Sequence, residues 1–132
     1  MIGLSISLLA DFTRDDNTKI VTDNETGLQW QDNEDVGKSW NNAINYCEAL
    51  TLGNYDDWRL PNHNELDSIV DDTKYNPSMS PVFQSFVSDA YWSSTTFASH
   101  SSYAWIVYFD YGDKNNDYTI DNNAVRCVRA GQ

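Results

Sequence analysis

From Tyr103 to Asp110 the chain alternates, with Tyr103, Trp105, Val107 and Phe109 on one face and Ala104, Ile106, Tyr108 and Asp110 on the other. A period of two predicts a β-strand. Tyr111-Gly112-Asp113 can then turn the chain, Asn115 to Asn123 is too polar to bury, and Ala124 to Arg129 returns as a last strand. Earlier, Lys19-Ile20-Val21-Thr22 reads as a short strand between the turn formers Asp15-Asp16-Asn17 and Asp23-Asn24. Thr26 to Gln31 follows as a second strand, with Leu28 and Trp30 on its buried side. From Ser39 the period lengthens. Trp40, Ala43, Cys47 and Leu50 recur at helical spacing, Ile44 widens the stripe, and Asn41, Asn42, Asn45 and Glu48 face water. Ser39 is the expected N-cap, and Gly53 or Asn54 takes the left-handed conformation after the helix.

Asp57-Trp58-Arg59-Leu60-Pro61-Asn62 leads into a second helix, with Asn62 as cap, Glu65 completing a capping box, and Leu66, Ile69 and Val70 as the apolar stripe. Trp58 and Leu60 are expected in the core, and Arg59 reaches outward to a carboxylate. Asp71-Asp72-Thr73 stops this helix. Tyr75 to Pro81 reads as an ordered loop, and Val82, Phe83, Phe86 and Val87 form one more apolar cluster. At the start, Ile2, Leu4, Ile6 and Leu8 alternate with Gly3, Ser5 and Ser7. That pattern favours a strand over a signal remnant, and the apolar run is too short to span a membrane. There is no repeat and no internal boundary, so residues 1–132 read as a single α+β domain.

Charge narrows the partners. Twenty acidic residues against eight basic ones leave a net charge of -12, which repels phosphate backbones and anionic lipid. Nucleic acid, sulfated glycans and membrane insertion are therefore set aside. Cys47 and Cys127 stand 80 positions apart with no neighbouring Cys or His at zinc spacing. They are either two buried thiols or a bridge, and a bridge closing so long a loop stabilises by roughly 4 kcal/mol in the chain-entropy model.

The candidate chemistry lies late in the chain. Between Phe97 and Ala124, Ser, His, Tyr, Asp and Asn fill 16 of 28 positions, the mixture that dominates recognition loops. Asp113, Asn115, Asp117 and Asp121 fall at the oxygen-ligand positions of a calcium loop. Tyr118, however, stands where the turn glycine belongs and Ala124 where the bidentate glutamate belongs, so a solvated polar loop is the simpler reading. Asp15-Asp16 and Asp71-Asp72 read as turn punctuation. His63 and His100 have no sequence-visible nucleophile partner, so no catalytic set is assigned. Trp30, Trp40, Trp58 and Trp105 sit on predicted buried faces, and Trp92 is placed in the core with them.

Thr26-Gly27-Leu28-Gln29-Trp30-Gln31, Tyr46-Cys47, Asp57 to Asn62 with Glu65-Leu66, Tyr91-Trp92-Ser93-Ser94, Ala104-Trp105 and Val125 to Arg129 resemble the legionella collagen-like (Lcl) C-terminal domain family. The resemblance covers nearly all of the chain from about Asp11. It implies a C-type-lectin-like fold with two helices and small mixed or antiparallel sheets, shared in looser form with formylglycine-generating enzymes. In that fold a disulfide commonly ties the first helix to the last strand, and Cys47 and Cys127 occupy those places. The active-site cysteine pair of the lectin-like oxidases then has no counterpart. The scatter of Ser99, His100, Ser101, Tyr103, Tyr108, Asp110, Tyr111, Asp113, Asn115, Asn116, Asp117, Tyr118, Asp121, Asn122 and Asn123 on a frame of Trp105, Phe109, Gly112 and Val125 is similar to the diversified segment of a retroelement variable protein.

These readings converge on a non-enzymatic ligand-binding or adhesion module. It would be extracellular, at a cell surface or on a virion, and would grip a protein or glycan through residues 99–123. Tyr103, Tyr108, Tyr111 and Tyr118 are the expected anchors, and the Asp and Asn residues supply directional hydrogen bonds. No cofactor is expected unless Asp113, Asn115, Asp117 and Asp121 hold calcium. The competing readings are a trimerising or fibre-head domain, in which the same loops contact sister chains of a homo-oligomer, and a calcium-dependent lectin.

Overall fold

The computed structural model describes residues 11–87 and 89–131, so the alternating stretch from Ile2 to Leu8 lies outside the described residues. Among them, four short strands come first: β1 (Phe12–Asp15), β2 (Ile20–Asp23), β3 (Gln29–Gln31) and β4 (Val36–Lys38). Two helices follow, α1 (Trp40–Ala49) and α2 (His63–Asp67). Then come β5 (Ala90–Phe97), β6 (His100–Tyr108), β7 (Lys114–Tyr118), β8 (Asn123–Val125) and β9 (Val128–Arg129). The architecture is α+β, with a four-stranded sheet in the order β1-β2-β3-β9 and a five-stranded sheet in the order β4-β8-β5-β6-β7. All pairings are antiparallel except β5 with β8, where Tyr91 lies beside Ala124 in parallel.

The β5–β6 hairpin is covered on both faces. Ala90, Trp92, Ala104 and Ile106 pack with Ala43 and Cys47 of α1 and with Trp58 and Leu60. Tyr91, Val107 and Phe109 pack with Leu66, Ile69, Met79 and Phe83, together with Trp30 and Val128. Period-two alternation assigns side chains to faces without saying whether one face or both is covered. Here both are. Trp92 reaches across to donate its Nε1–H to the Lys38 carbonyl at 2.8 Å, and Trp40 donates to the Ser93 carbonyl at 2.9 Å. Trp92 thus buries its ring and satisfies its polar tip, and the half-buried Trp40 satisfies its own.

Both helices start where the pattern placed them, by different means. Ser39 holds the N-cap position of α1 without a side-chain bond, and the Trp40 N–H instead donates to the Thr119 carbonyl at 3.0 Å. At α2 the capping box is complete: the Asn62 side chain accepts from the Glu65 N–H at 2.8 Å, and Glu65 accepts from the Asn62 N–H at 2.9 Å. Arg59 clasps that same Glu65 carboxylate with two bonds of 2.7 and 2.8 Å. The guanidinium bonds, first among several causes, hold the Glu65 carboxyl below its ordinary value. Gly53 and Asn54 both adopt positive φ after α1.

The terminal segment differs from the single strand expected over Ala124 to Arg129. Val125 pairs with Val36 in the five-stranded sheet, whereas Val128 pairs with Trp30 in the four-stranded one. Between them, Arg126 and Cys127 carry the chain across the core. Cys127 is bonded to Cys47 of α1, with the two Cα atoms 5.5 Å apart. Arg126 is buried and donates to the Asp32 carboxylate at 3.0 Å, while its guanidinium carbon lies 4.9 Å from the centre of the Phe83 ring. Arg129 bonds Asp57 at 2.6 Å and covers the Tyr55 ring at 3.6 Å. The Asp57 to Leu60 segment and the Val125 to Arg129 segment are therefore two halves of one seam, closed also by mutual backbone bonds between Arg59 and Val128.

Three further expectations are corrected. Strands β1 and β4 form where no strand was predicted, and Lys114–Tyr118 is a strand where a polar loop was expected. Of the cluster at residues 82–87, Phe83 is buried, but Phe86 and Val87 are exposed. Trp40 and Trp105 are only partly buried.

Candidate binding face

Strand β6 runs for nine residues, about 25–30 Å, so the candidates from Ser99 to Asn123 cannot form one patch. They divide between two ends and two faces.

At one end, the hairpin tip brings rings together. Tyr103 and Tyr118 stand directly opposite across the β6–β7 pair, with centroids 4.4 Å apart. Phe97 lies 6.3 Å from Tyr103, 6.4 Å from His100 and 5.2 Å from Trp105, and His100 lies 5.6 Å from Tyr103. His63 of α2 closes the group at 5.0 Å from Trp105. The result is a connected aromatic face of six rings. Phe97, Tyr103 and Trp105 are half-buried, Tyr118 is 50% exposed, and Ser99, His100 and Ser101 are exposed beside them. Asn116 pairs with Trp105 along the same side of the strands. Hydrogen bonding with Tyr118 holds the Tyr103 phenol above its ordinary value, and burial pulls His63 below its own, with Lys114 acting in the same direction and Asp67 opposing.

A bulge in β5 builds this end. Ile106 pairs with Trp92, but Ala104 pairs with Thr96, so extra residues of β5 are accommodated between these pairs. Within the bulge, Ser93 Oγ donates to the Trp105 carbonyl at 2.8 Å and the Ser94 N–H donates to the Pro61 carbonyl at 2.7 Å. Thr95 Oγ1 accepts from the His63 N–H at 2.9 Å. These bonds fix α2 against the hairpin and so hold His63 on Trp105.

At the other end, Asp110, Tyr111 and Asp113 form the β6–β7 turn. Tyr111 is 65% exposed and stacks at 6.0 Å on Tyr75, itself 69% exposed. Gly112 has φ +85°, and a Cβ there would lie 2.8 Å from Val70, so the turn admits no larger residue without strain. Tyr75 also lines a groove of about 440 Å³ with Pro77, Met79, Phe83 and Phe86.

On the opposite face, Tyr108 packs against the core beneath α1, and Asn115 and Asp117 face the same way as Ile106 and Ala104. Asp117 accepts from Asn123 Nδ2 at 3.0 Å. Its bond to Asp121 raises the Asp121 carboxyl above the usual carboxylate range. Asn122 and Asn123 line a cleft of about 250 Å³ with Asp35, Gly37 and Asp89.

The calcium-loop positions are thus spread out. Asp113, Asn115 and Asp117 lie at or along an extended strand at intervals of about 7 Å, and only Asp117 and Asp121 come together. Among the described residues no group of three or more His, Cys, Asp or Glu side chains is placed to share a metal ion.

Phe97, Trp105 and His63 join the aromatic face although none of them was among the residues expected to bind. The available signal was Tyr103 and Trp105 on one strand face beside the polar run Ser99 to Ser102. A face that is aromatic at its wet end is a surface as well as a core.

The family model of the Lcl C-terminal domain matches residues 19–129 of the chain's 132 residues. No curated protein matches the chain.

Proposed function

Because the chain belongs to the Lcl C-terminal domain family, we propose that it is a non-enzymatic surface or adhesion module that grips its ligand with Phe97, His100, Tyr103, Trp105 and Tyr118. One observation carries the reading: an unbroken run of ring contacts of 4.4–6.4 Å leads from half-buried His63 to half-exposed Tyr118. Rigid aromatic rings offer contact area at low entropy cost, and such residues dominate binding hot spots. The platform beneath is stiff, because the Trp40 bond ties α1 to β5, the Trp92 bond ties β5 to β4, and the Cys47–Cys127 bond ties α1 to the crossing between the two sheets. Two short helices, two small sheets and that disulfide support a C-type-lectin-like scaffold. The disulfide also favours an oxidising location outside the cytosol. Stacking and hydrogen bonds suffice for this mode of binding without a metal ion.

The late Ser, His, Tyr, Asp and Asn residues support a diversified segment, of which Ser99, His100, Ser101, Tyr103, Asn116 and Tyr118 form the part that meets the ligand. A reverse transcriptase gene beside a near-copy of these codons, differing at adenines, would establish that origin.

The test compares two ends of one strand. Binding of the labelled domain to intact cells and to immobilised proteins and glycans is measured for Tyr103→Ala/Tyr118→Ala and for Tyr75→Ala/Tyr111→Ala. The first pair should lose tenfold or more with unchanged mass by light scattering, and the second should keep its affinity. Retained binding in the first pair overturns the reading. A shift to a smaller oligomer in that pair would instead favour a fibre-head or trimerising domain.

A further inference from the structure

The far end of strand β6, at the β6–β7 turn, holds exposed rings and carboxylates side by side. Tyr75 and Tyr111 are more exposed than any other tyrosine, tryptophan or phenylalanine among the described residues, and their ring planes lie only 11° apart. They stand on a fixed support. The loop that carries Tyr75 is laced to β6 and its turn, since the Asn76 N–H donates to the Asp110 carbonyl at 2.8 Å and the Ser78 N–H to the Phe109 carbonyl at 2.7 Å. The Asp71 N–H closes the loop on itself by donating to the Ser78 carbonyl at 2.8 Å. Beside the rings lies the groove of about 440 Å³ lined by Met79, Phe83 and Phe86. A second groove of about 450 Å³ shares Lys74 and Pro81 with it and is lined further on by Asp71 and Asp72. Residues 71–75 and 110–113 together hold four aspartates and one lysine, a net of -3. A Cβ on Gly112 would lie 3.7 Å from Asp72 Oδ1, and Asp110 Oδ1 accepts from the Tyr111 N–H at 2.8 Å, so both carboxylates stand at the turn that carries Tyr111. Among the described residues no lysine or arginine pairs with Asp72, Asp110 or Asp113: the arginines pair with Asp16, Asp32, Asp57 and Glu65, and Lys114 with Asp67.

Exposed rings held rigidly beside an apolar groove mark a docking surface rather than an overflow of the core. We infer that this end docks a second partner, a protein segment carrying arginine beside a bulky apolar residue: the apolar side chain enters the groove at Met79, Phe83 and Phe86, and the guanidinium lies against Tyr75 and Tyr111 and answers Asp72 and Asp110. Arginine suits the surface better than lysine, since its planar guanidinium stacks on a ring while donating sideways to a carboxylate. A second copy of this chain would instead set these aspartates against their like, and a net charge of -12 opposes that approach as it favours a basic one. This partner is distinct from the ligand of the hairpin-tip rings, which lie at the opposite end of β6 and should keep that ligand when Tyr75 and Tyr111 are replaced.

The probe is a synthetic (Arg-Leu-Gly)4 peptide titrated into the whole domain by calorimetry. The comparisons are (Gln-Leu-Gly)4, which lacks the charge, and (Arg-Ser-Gly)4, which lacks the apolar side chain. The first should bind roughly fivefold or more tightly than either comparison, and less tightly as NaCl is added. Tyr75→Leu/Tyr111→Leu, which keeps bulk but removes both rings, should weaken it roughly fivefold or more. Asp72→Asn/Asp110→Asn, which keeps the acceptor for the Tyr111 N–H, should weaken it and flatten its salt dependence. Glu48→Gln, an exposed acid on α1, should leave it unchanged. Near-ultraviolet circular dichroism checks that each variant is folded. Equal binding of the three peptides overturns the inference, as does undiminished binding in Tyr75→Leu/Tyr111→Leu or an equal loss in Glu48→Gln. A mass by light scattering that grows with concentration, and does so no longer in Tyr75→Leu/Tyr111→Leu, assigns the surface to a second copy and overturns it too. Peptide binding lost in that variant while cell binding persists supports a separate partner, and loss of both overturns it.

Discussion

At the scale of single residues, Asp32 is the most consequential side chain, and nothing in its local sequence marks it. It is fully buried and receives Arg14 Nε at 2.6 Å, Arg126 Nη1 at 3.0 Å, and the backbone N–H groups of Gln84 and Ser85 at 2.9 and 3.0 Å. Four donors on one carboxylate offset the cost of taking its charge out of water. They also gather β1, the segment after β3, the 84–87 loop and the β8–β9 crossing at a single point. Removing the carboxylate leaves the buried Arg126 guanidinium bonded only to the Gln31 and Ser85 carbonyls, without a charge partner, so Asp32→Ala should cost about 3–5 kcal/mol, read as a lower urea midpoint with an unchanged slope. A loss below about 1 kcal/mol would mean that the Gln31 and Ser85 carbonyls suffice to hold the Arg126 charge. The sequence pattern named Arg126 as part of a motif, but its acceptor lies 94 positions away, and periodicity carries no information at that range. The capping box at Asn62 and Glu65 was legible for the opposite reason: its partners are three residues apart.

At the scale of elements, legibility followed the number of apolar positions. Helix α1 and strand β6 carry enough of them to set a period: α1 forms where the pattern put it, β6 is displaced from the expected Tyr103 to Asp110 to His100–Tyr108, and α2 ends at Asp67 although its apolar stripe was read through Val70. Strands β1 and β4 span four and three residues, too few to establish alternation. Strand β7 reads Lys-Asn-Asn-Asp-Tyr, a composition depleted in strand formers, and exists because β6 offers it a complete ladder. Its polar side chains also protect it as an edge. Asn115 Oδ1 accepts from the Asn116 N–H and Asp117 Oδ1 from the Tyr118 N–H, both at 2.8 Å, so amides that would otherwise recruit a further strand are already engaged. The cysteine link is a statement about elements too. It joins α1 to the point where the chain changes sheets, 80 positions later. Loop closure of that length is worth about 4 kcal/mol, so reduction or Cys47→Ser/Cys127→Ser should lower Tm by roughly 15 °C. Thermal melts with and without reductant, compared with the double variant, check this. A melt indifferent to reductant would show that packing of α1 alone sets the stability.

At the scale of the whole molecule, charge is distributed unevenly between inside and outside. The buried Arg126–Asp32 pair and its neighbours are shielded from salt, whereas the surplus acids behind the net charge of -12 lie largely on the surface and repel one another. Added salt should therefore stabilise this domain by screening the repulsion within about 10 Å, rather than weaken it by screening its ion pairs. Tm should rise between 10 and 300 mM NaCl at pH 7, and a fall would mean that exposed pairs such as Lys114–Asp67 dominate. Asp121 localises the effect. Its carboxyl is raised above the ordinary value of 3.8, first by its bond to Asp117. A carboxyl raised on folding contributes stability in full below its unfolded value, and that contribution is lost as pH rises through the folded value. Above that folded value the Asp121 carboxylate is set against Asp117. Asp121→Asn keeps a donor for Asp117 and deletes the repulsion, so it should raise Tm at pH 7 and low salt. The gain should shrink in 300 mM NaCl and vanish below pH 3.8, where the wild-type carboxyl already supplies that proton.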